Sequence, residues 1–203
     1  MNKIITWHPE SVSSSERTLK LNHSPATIWM TGLSGSGKST IAQLVSRELH
    51  DNNISEIVLD GDNIRHGLCS NLGFSANDRR ENVRRIAEMA KVLNSAGVTV
   101  ICPVISPYTS DRLMVKDIIG HDNYIEAYCE CDLRVCEQRD TKGLYKLARL
   151  GRIKNFIGIS SPYKPPTDPA ITVNTSINNE QESASHVINY LRKTRQRQPI
   201  VSV

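Results

Sequence analysis

The sequence predicts an α/β fold, a five-stranded and mostly parallel sheet flanked by helices, with a mobile basic lid. Three observations predict it. Gly32-Leu33-Ser34-Gly35-Ser36-Gly37-Lys38-Ser39 reads G-x-x-x-x-G-K-S, the phosphate-binding P-loop pattern. Apolar runs of strand length alternate with stretches of helical periodicity, which implies right-handed crossovers and a parallel sheet. One long segment, residues 140–166, breaks that alternation with Lys, Arg, Gly and Pro, and a long insertion of this kind in an α/β protein is usually functional.

Residues 1–25 are polar, with serines at 11 and 13–15, and read as an N-terminal arm with Trp7 as its candidate anchor. The first strand is Ala26–Thr31, apolar and partly β-branched. It runs into the P-loop, and Thr40–Leu49 follows as a helix with Ile41, Leu44, Val45 and Leu49 on one face. Ser55–Asp60 is a second short strand ending in Asp60-Gly61-Asp62-Asn63. Asn77–Ala96 is a helix capped by Asn77 or Asp78, striped by Val83, Ile86, Ala87, Ala90 and Leu93, and stopped by Gly97. Val98–Ile105 is nearly all apolar, as a strand buried on both faces should be. Ser110–Ile119 is a helix, Asn123–Cys129 a fourth strand and Asp132–Arg139 a short helix. After the segment 140–166, Ala170–Asn174 is the fifth strand and Glu180–Arg195 the last helix, so the main domain spans 26–195 and a polar tail covers 196–203.

The 203 residues, 38% hydrophobic and 23% charged, suit one globular domain with a sizeable core. No apolar run approaches membrane-spanning length and the first residues lack a signal-peptide pattern, so a cytoplasmic protein with no membrane partner is expected. The five cysteines are odd in number, form no C-x-x-C pair and mostly sit in apolar runs, which favours buried free thiols over zinc or disulfides. Net charge is a modest +4, with a cluster at Arg79, Arg80, Arg84 and Arg85 that suits either nucleic acid or a small anionic substrate.

The residue types of the P-loop follow from its chemistry. Glycines let backbone N–H groups turn inward as a nest for phosphate oxygens, and the helix start adds its dipole. Lys38 reaches β- and γ-phosphates, and the Ser39 hydroxyl ligates Mg²⁺. No G-protein base-reading motif and no long second domain accompany the loop, and the five-strand core with a basic lid points to the P-loop kinase fold of small-molecule kinases. A lid excludes water, without which ATP would simply be hydrolysed. Asp60 and Asp62 lie at the C-terminal end of a strand, where ligands bind in open α/β sheets. One carboxylate can serve the metal and the other orient or deprotonate an attacking hydroxyl; a solvated Asp-Gly turn is the alternative. Phe74 and Phe156, the two phenylalanines, both sit in polar, glycine-containing loops, where stacking on a nucleobase competes with ordinary core packing. Arg65, Arg79 and Arg84 can pair with phosphate or sulfate oxygens.

Six ordered blocks carry a resemblance. They are Gly32–Thr40, Leu59–Leu68 (LDGDNIRHGL), Asn71–Ser75 (NLGFS), Asp78–Arg85 (DRRENVRR), Ile105–Tyr108 (ISPY) and Cys136–Lys146 (CEQRDTKGLYK). Together they closely resemble the adenylyl-sulfate kinases, from about Trp7 to about Arg195. The resemblance implies transfer of phosphate from ATP to the 3′-hydroxyl of adenylyl sulfate, with Mg²⁺ as cofactor. It implies that Gly32, Leu33, Ser34, Gly35, Ser36, Gly37, Lys38, Ser39 and Thr40 hold ATP, with Arg139 near its base. Asp60 and Asp62 would serve the metal and the 3′-hydroxyl, with Ser39 and Asp60 as the metal residues. Adenylyl sulfate would meet Asp62, Asn63, Arg65, Phe74, Arg79, Asn82, Ile105, Ser106, Lys142 and Phe156, with its adenine between Phe74 and Phe156. Ser106 is the serine often described in the family as transiently phosphorylated; direct transfer from ATP is the alternative favoured here, because the sequence nominates no clear activating base and His66 is only a candidate. The family suggests a homodimer and an ATP sulfurylase as pathway neighbour.

The chain departs from the family pattern at four places. Val104 stands where Phe is usual before Ile-Ser-Pro, Asn155 where Gly is usual beside Phe156, Leu147 where a second Lys follows Tyr145-Lys146, and Ser160-Ser161 where an acidic residue follows Gly158-Ile159. Two other functions compete: a kinase of the same fold acting on another small hydroxyl compound, such as a sugar acid, and a nucleic-acid-binding ATPase using Arg79–Arg85. Two base-stacking rings argue against the first, and whether adenylyl sulfate rather than RNA or DNA protects against thermal unfolding discriminates the second.

Overall fold

The structure is a computed structural model that describes residues 5–194; the expected tail at 196–203 lies outside the described residues. The N-terminal stretch carries a helix that its serines conceal. Ser13 and Glu16 form a reciprocal capping box that starts α1 (Ser14–Leu21). This helix is tied to the body by Arg17, whose Nη1 donates to Ser95 O at 3.1 Å, and by Leu21 against Gly97. Trp7 does not anchor the arm: it is 87% exposed, and the Arg17 and Leu21 contacts do that work instead.

Strand β1 (Thr27–Thr31) then enters the molecule and is buried at all five positions. The P-loop leads into α2 (Lys38–Asp51), followed by β2 (Glu56–Val58) and the single turn α3 (Gly61–Ile64). The long α4 (Ala76–Ser95) precedes β3 (Thr99–Pro103), α5 (Thr109–Ile119) and β4 (Tyr124–Glu130). Helix α6 (Leu133–Arg139) is the expected short helix, and the segment 140–166 after it contains a further one, α7 (Leu144–Arg149). Strand β5 (Ile171–Asn174) and α8 (Glu180–Thr194) complete the order.

The sheet order is β2-β3-β1-β4-β5, and every pairing is parallel rather than mostly so. Alternation along β1 divides the core. Ile28 and Met30 pack with Val45 and Leu49 of α2 and Val187 and Leu191 of α8. Trp29 packs on the other face with Val83 and Ile86 of α4 and Val115 of α5. Each of these fully buried β1 side chains contributes on the order of 1.5–3 kcal/mol, so the central strand is a stiff platform. The segments after β1, β2 and β3 all emerge at the C-terminal edge of the sheet, where open α/β folds bind ligands. A third, smaller cluster joins Cys131 and Cys136 to Tyr145, Ala148 and Phe156, so much of the 140–166 segment packs as a structured insertion. All five cysteines are buried free thiols. Among the described residues no helix is long and apolar enough to cross a membrane.

Asn94 fastens α4 to the start of this platform. Its carboxamide accepts from Thr27 Oγ1 at 2.7 Å and donates to Ala26 O at 3.2 Å and Val98 O at 2.9 Å, all in a buried setting. Removing it strands several buried polar groups, each costing about 1–3 kcal/mol. Asn94→Ala is therefore expected to lower unfolding stability by ~2–4 kcal/mol in urea titration, whereas a change under half a kcal/mol would show that water replaces the amide.

Candidate functional site

The P-loop can turn only because its first residue has no side chain. At Gly32, with φ +151, a Cβ would stand 2.5 Å from the Cys129 carbonyl oxygen. At the loop's other end Gly37, with φ +84, occupies the N-cap of α2 and offers no side-chain cap. The first N–H groups of α2 therefore keep their capacity to bind an anion. The Lys38 ammonium curls back to donate to Gly32 O at 3.0 Å, Leu33 O at 2.6 Å and Ser36 Oγ at 3.4 Å. Burial lowers its pKa, an effect that neighbouring thiols and the Asp60 and Asp62 carboxylates oppose.

Ser39 donates to Asp60 Oδ2 at 2.6 Å, and Asp60 Oδ1 accepts the Asp62 N–H at 2.9 Å as the cap of α3. Asp60 is thereby nearly buried and aimed at the P-loop, whereas Asp62 is exposed and ion-paired with Lys142. Among the described residues no group of three or more His, Cys, Asp and Glu side chains is placed to hold a metal. The Ser39 hydroxyl and Asp60 carboxylate nonetheless form a hard oxygen pair beside the phosphate nest. That is the donor set Mg²⁺ uses when waters and substrate phosphates complete its shell.

The acceptor end is built from the start of α4 and the loop before it. Phe74 is 60% exposed, with the Arg65 guanidinium 4.5 Å and the Arg79 guanidinium 5.4 Å from its ring centroid. Arg65 donates to Leu72 O and Gly73 O, while Arg79 donates to Phe74 O at 3.0 Å and to Asn155 O of the insertion at 3.1 Å. Burial, then the neighbouring Arg65, lowers the Arg79 pKa, the condition in which an anion is welcome. Asn82 Oδ1 is buried at the cavity wall without a partner.

The arginine cluster resolves into separate duties. Arg84 and Arg85 both grip Glu81, whose carboxyl they hold down to about 2, and Arg80 pairs with buried Asp111. Only Arg79 of the four faces the cavity, so the cluster is not a free basic patch.

Ser106 is 1% exposed and held at φ +36. Its hydroxyl accepts from Trp29 Nε1 at 3.0 Å and donates to Val104 O at 3.2 Å. Among the described residues no basic side chain hydrogen-bonds to that oxygen, and His66 is exposed and outside the cavity lining. Arg139 donates to Gly35 O at 3.3 Å and Thr175 O at 2.5 Å, linking the P-loop to the loop after β5.

These parts line one cavity of about 1070 Å³, above the ~300–1,000 Å³ of an ordinary one-ligand pocket. Its wall includes Ser34, Gly35, Gly37, Lys38, Ser39, Thr40 and Arg139 on one side and Arg65, Phe74, Arg79, Asn82, Ile105 and Ser106 on the other. Asp60, Asp62, Lys142 and Phe156 also reach it. Gly32, Leu33, Ser36 and Asn63 do not line it: the first three shape the loop from beneath, and Asn63 is exposed on α3. Phe156 differs from its expected loop setting. It is 8% exposed, packed edge-on against Tyr145 with ring centroids 5.0 Å apart. Sequence reasoning missed Tyr145, whose hydroxyl donates to Ser34 O at 2.8 Å, and Thr175, whose hydroxyl meets Ser36 O. It missed Asn178, Asn179, Glu180, Gln181 and Ser183 around the start of α8, which also reach the cavity; the helix-start pattern alone could have pointed there.

Known proteins match this arrangement. The family model described as Adenylylsulphate kinase matches residues 24–174. The adenylyl-sulfate kinase of Staphylococcus haemolyticus is 50% identical over 93% of this chain and 94% of its own length, and that of Acaryochloris marina is 48% identical over 93% and 92%. The Mycobacterium tuberculosis APS kinase CysC, solved in complex with AMPPNP and APS, superposes with a TM-score of 0.80 at 44% identity, covering 83% of this chain and 98% of that one. The chain therefore belongs to the adenylylsulphate kinase family.

Proposed function

We propose that the protein transfers the γ-phosphoryl group of ATP to the 3′-hydroxyl of adenylyl sulfate, giving ADP and 3′-phosphoadenylyl sulfate. The observation that carries this reading is the single cavity joining an uncapped P-loop nest to an arginine-flanked aromatic ring, with two carboxylates, Asp60 and Asp62, in its wall. The P-loop N–H groups and Lys38 bind the β- and γ-phosphates. As they do, the ammonium exchanges its carbonyl partners for phosphate oxygens and supplies charge where the transition state gathers it. Ser39 and Asp60 would hold Mg²⁺, which would supply further charge neutralisation.

Phe74 offers a face for the adenine of adenylyl sulfate, Phe156 bounds the same region, and Arg65, Arg79 and Asn82 take its polar groups. Asp62 orients the 3′-hydroxyl and accepts its proton. The hydroxyl oxygen forms a bond to the γ-phosphorus as the bond to the β,γ-bridging oxygen breaks, and ADP leaves. Residues 140–166 act as the lid, with Lys142 donating positive charge and the small core around Tyr145 keeping water out. Ser106 positions rather than attacks, because its hydroxyl is already committed to Trp29 and Val104. The reading carries with it a homodimer in the cytoplasm, working beside an ATP sulfurylase.

A coupled ADP-release assay tests the proposal. ADP release that depends on adenylyl sulfate is expected, and a rate indifferent to it would exclude this acceptor. In a correctly folded Lys38→Ala protein, turnover should fall by ~10²–10³, as when one charge-stabilising donor is removed; near-normal turnover would refute the role of the P-loop ammonium. Phe74→Ala should weaken adenylyl sulfate binding by ~1–3 kcal/mol, the scale of base–aromatic stacking. Its melting temperature and its ATP affinity without acceptor should hardly move, since the ring is exposed; a collapse in stability would make Phe74 a packing residue. Rapid quench with γ-labelled ATP and no acceptor should leave Ser106 unlabelled, and Ser106→Ala should retain turnover within about tenfold, one ~1.4 kcal/mol interaction. Label that forms on Ser106 and discharges to adenylyl sulfate at the turnover rate would establish a covalent route.

A further inference from the structure

A second tyrosine of the insertion makes a contact that the phosphate and acceptor sites do not explain. Tyr163 lies at the insertion's exit, half-buried, with its Oη 2.9 Å from Thr31 Oγ1. Thr31 is fully buried and immediately precedes Gly32 of the P-loop. Its single hydroxyl proton is committed to Ile105 O, 2.6 Å away, so in this pair the phenol donates and the threonine oxygen accepts. The next residue adds a backbone tie, Lys164 N–H to Pro107 O at 2.9 Å. Tyr128, which faces Thr31 across the β1–β4 register, stacks on the Tyr163 ring with centroids 6.2 Å apart and planes within 18°. Burial pushes the Tyr163 phenol above its ordinary pKa, consistent with a permanent donor.

One short chain of bonds thus runs from the insertion through Thr31 to the Ile105–Pro107 loop. That loop already holds Ser106 in a left-handed conformation, with Trp29 on its hydroxyl and Arg112 on its carbonyl. We infer that Tyr163, acting through Thr31, is a positioning residue that registers the insertion against the P-loop strand and the acceptor loop, fixing how deeply the insertion's cavity wall sits over adenylyl sulfate. The kinetic part of this inference rests on the proposed function; the structural part does not. The P-loop nest is shaped by Gly32 and Lys38 without help from Tyr163, so ATP binding is insulated from the contact. Phe156, which lines the acceptor region seven positions upstream, is not.

The test uses Tyr163→Phe, which keeps the ring and its stacking, and Thr31→Val, which removes the acceptor from the other side. Hydrogen exchange at Lys164 should accelerate in both ligand-free variants, as should trypsin cleavage after Arg152 and Lys154, because the insertion's exit loses its tie. The KM for adenylyl sulfate should rise about 3- to 10-fold, the range of one lost hydrogen bond, while the KM for ATP stays within about twofold. Thr31→Ser, which keeps the hydroxyl, should restore both readouts. The double variant should be no worse than the worse single one, because one bond cannot be lost twice. Unchanged exchange at Lys164 would overturn the structural tie. Equal shifts in both KM values, additive effects in the double variant, or no rescue by Thr31→Ser would overturn the positioning role. If the unaltered protein does not phosphorylate adenylyl sulfate, the functional reading fails while the exchange and proteolysis results still decide the tie.

Discussion

The close approach of Gly32 to the Cys129 carbonyl fixes where the central strand ends and the phosphate loop begins. No other residue type fits there, since even a methyl group would stand 2.5 Å from the carbonyl oxygen, well inside van der Waals contact distance. Because β1 is flanked by β3 and β4, this one turn also determines what can converge on it. Asp60 follows β2, Ile105 and Ser106 follow β3, and the insertion follows β4 and α6. Parallel pairing places all three at the same edge, so the topology assembles a site from segments far apart in sequence.

Around that turn the protein satisfies its cations with its own acceptors. Lys38 is bound to loop carbonyls, Lys142 to Asp62, Arg139 to Gly35 and Thr175, and Arg79 to the carbonyls of Phe74 and Asn155. None of these partners except Asp62 carries a full negative charge. Exchanging a neutral carbonyl for a phosphate or sulfate oxygen therefore strengthens the hydrogen bond, roughly twofold for charge-assisted pairs. The exception matters. Lys142 and Asp62 neutralise each other on the surface, where an ion pair contributes only about 0–1 kcal/mol. In the reaction proposed above, a bound acceptor separates the pair at little cost and leaves Asp62 free for the hydroxyl.

The fold was legible where its causes are local. The P-loop glycines, the apolar runs of β1 and β3, and the stripe of α4 are each written in a few adjacent residues, and the structure has them all. The capping box that starts α1 is equally local, but Ser13 and Glu16 lie in a stretch whose polar composition suggested no helix. What composition cannot report is partnership across the chain. Trp7 reads as an anchor by type alone, yet a groove to receive it depends on elements far away, and it is solvent-exposed. Arg80, Arg84 and Arg85 read as a basic patch until Asp111 and Glu81 are seen to take them. Phe156 reads as a loop residue because Cys131, Cys136 and Tyr145, which help to bury it, are separated from it by ten or more positions. The phosphate end was therefore readable from the sequence, whereas the ties that hold the insertion over it, Tyr145 to Ser34 and Tyr163 to Thr31, were not.

Three of the four departures from the family pattern fall in that same insertion, and the geometry accounts for two of them. Asn155 takes the place where Gly is usual and adopts φ +56. Asn is one of the few residues besides Gly that visits this region routinely, so the turn survives while the unfolded chain gains less freedom than glycine would give it. The carbonyl of that strained residue is the one Arg79 grips, so the conformation that would otherwise be costly is stabilised from α4. Five residues on, Ser160 stands where the acidic residue is usual, and its hydroxyl accepts the Phe156 N–H at 2.9 Å. A serine oxygen closes the turn without adding a negative charge to a segment that, in the proposed reaction, covers an anionic substrate. Both changes leave Phe156 in place by backbone means, which is why a chain that differs here can retain the same cavity wall.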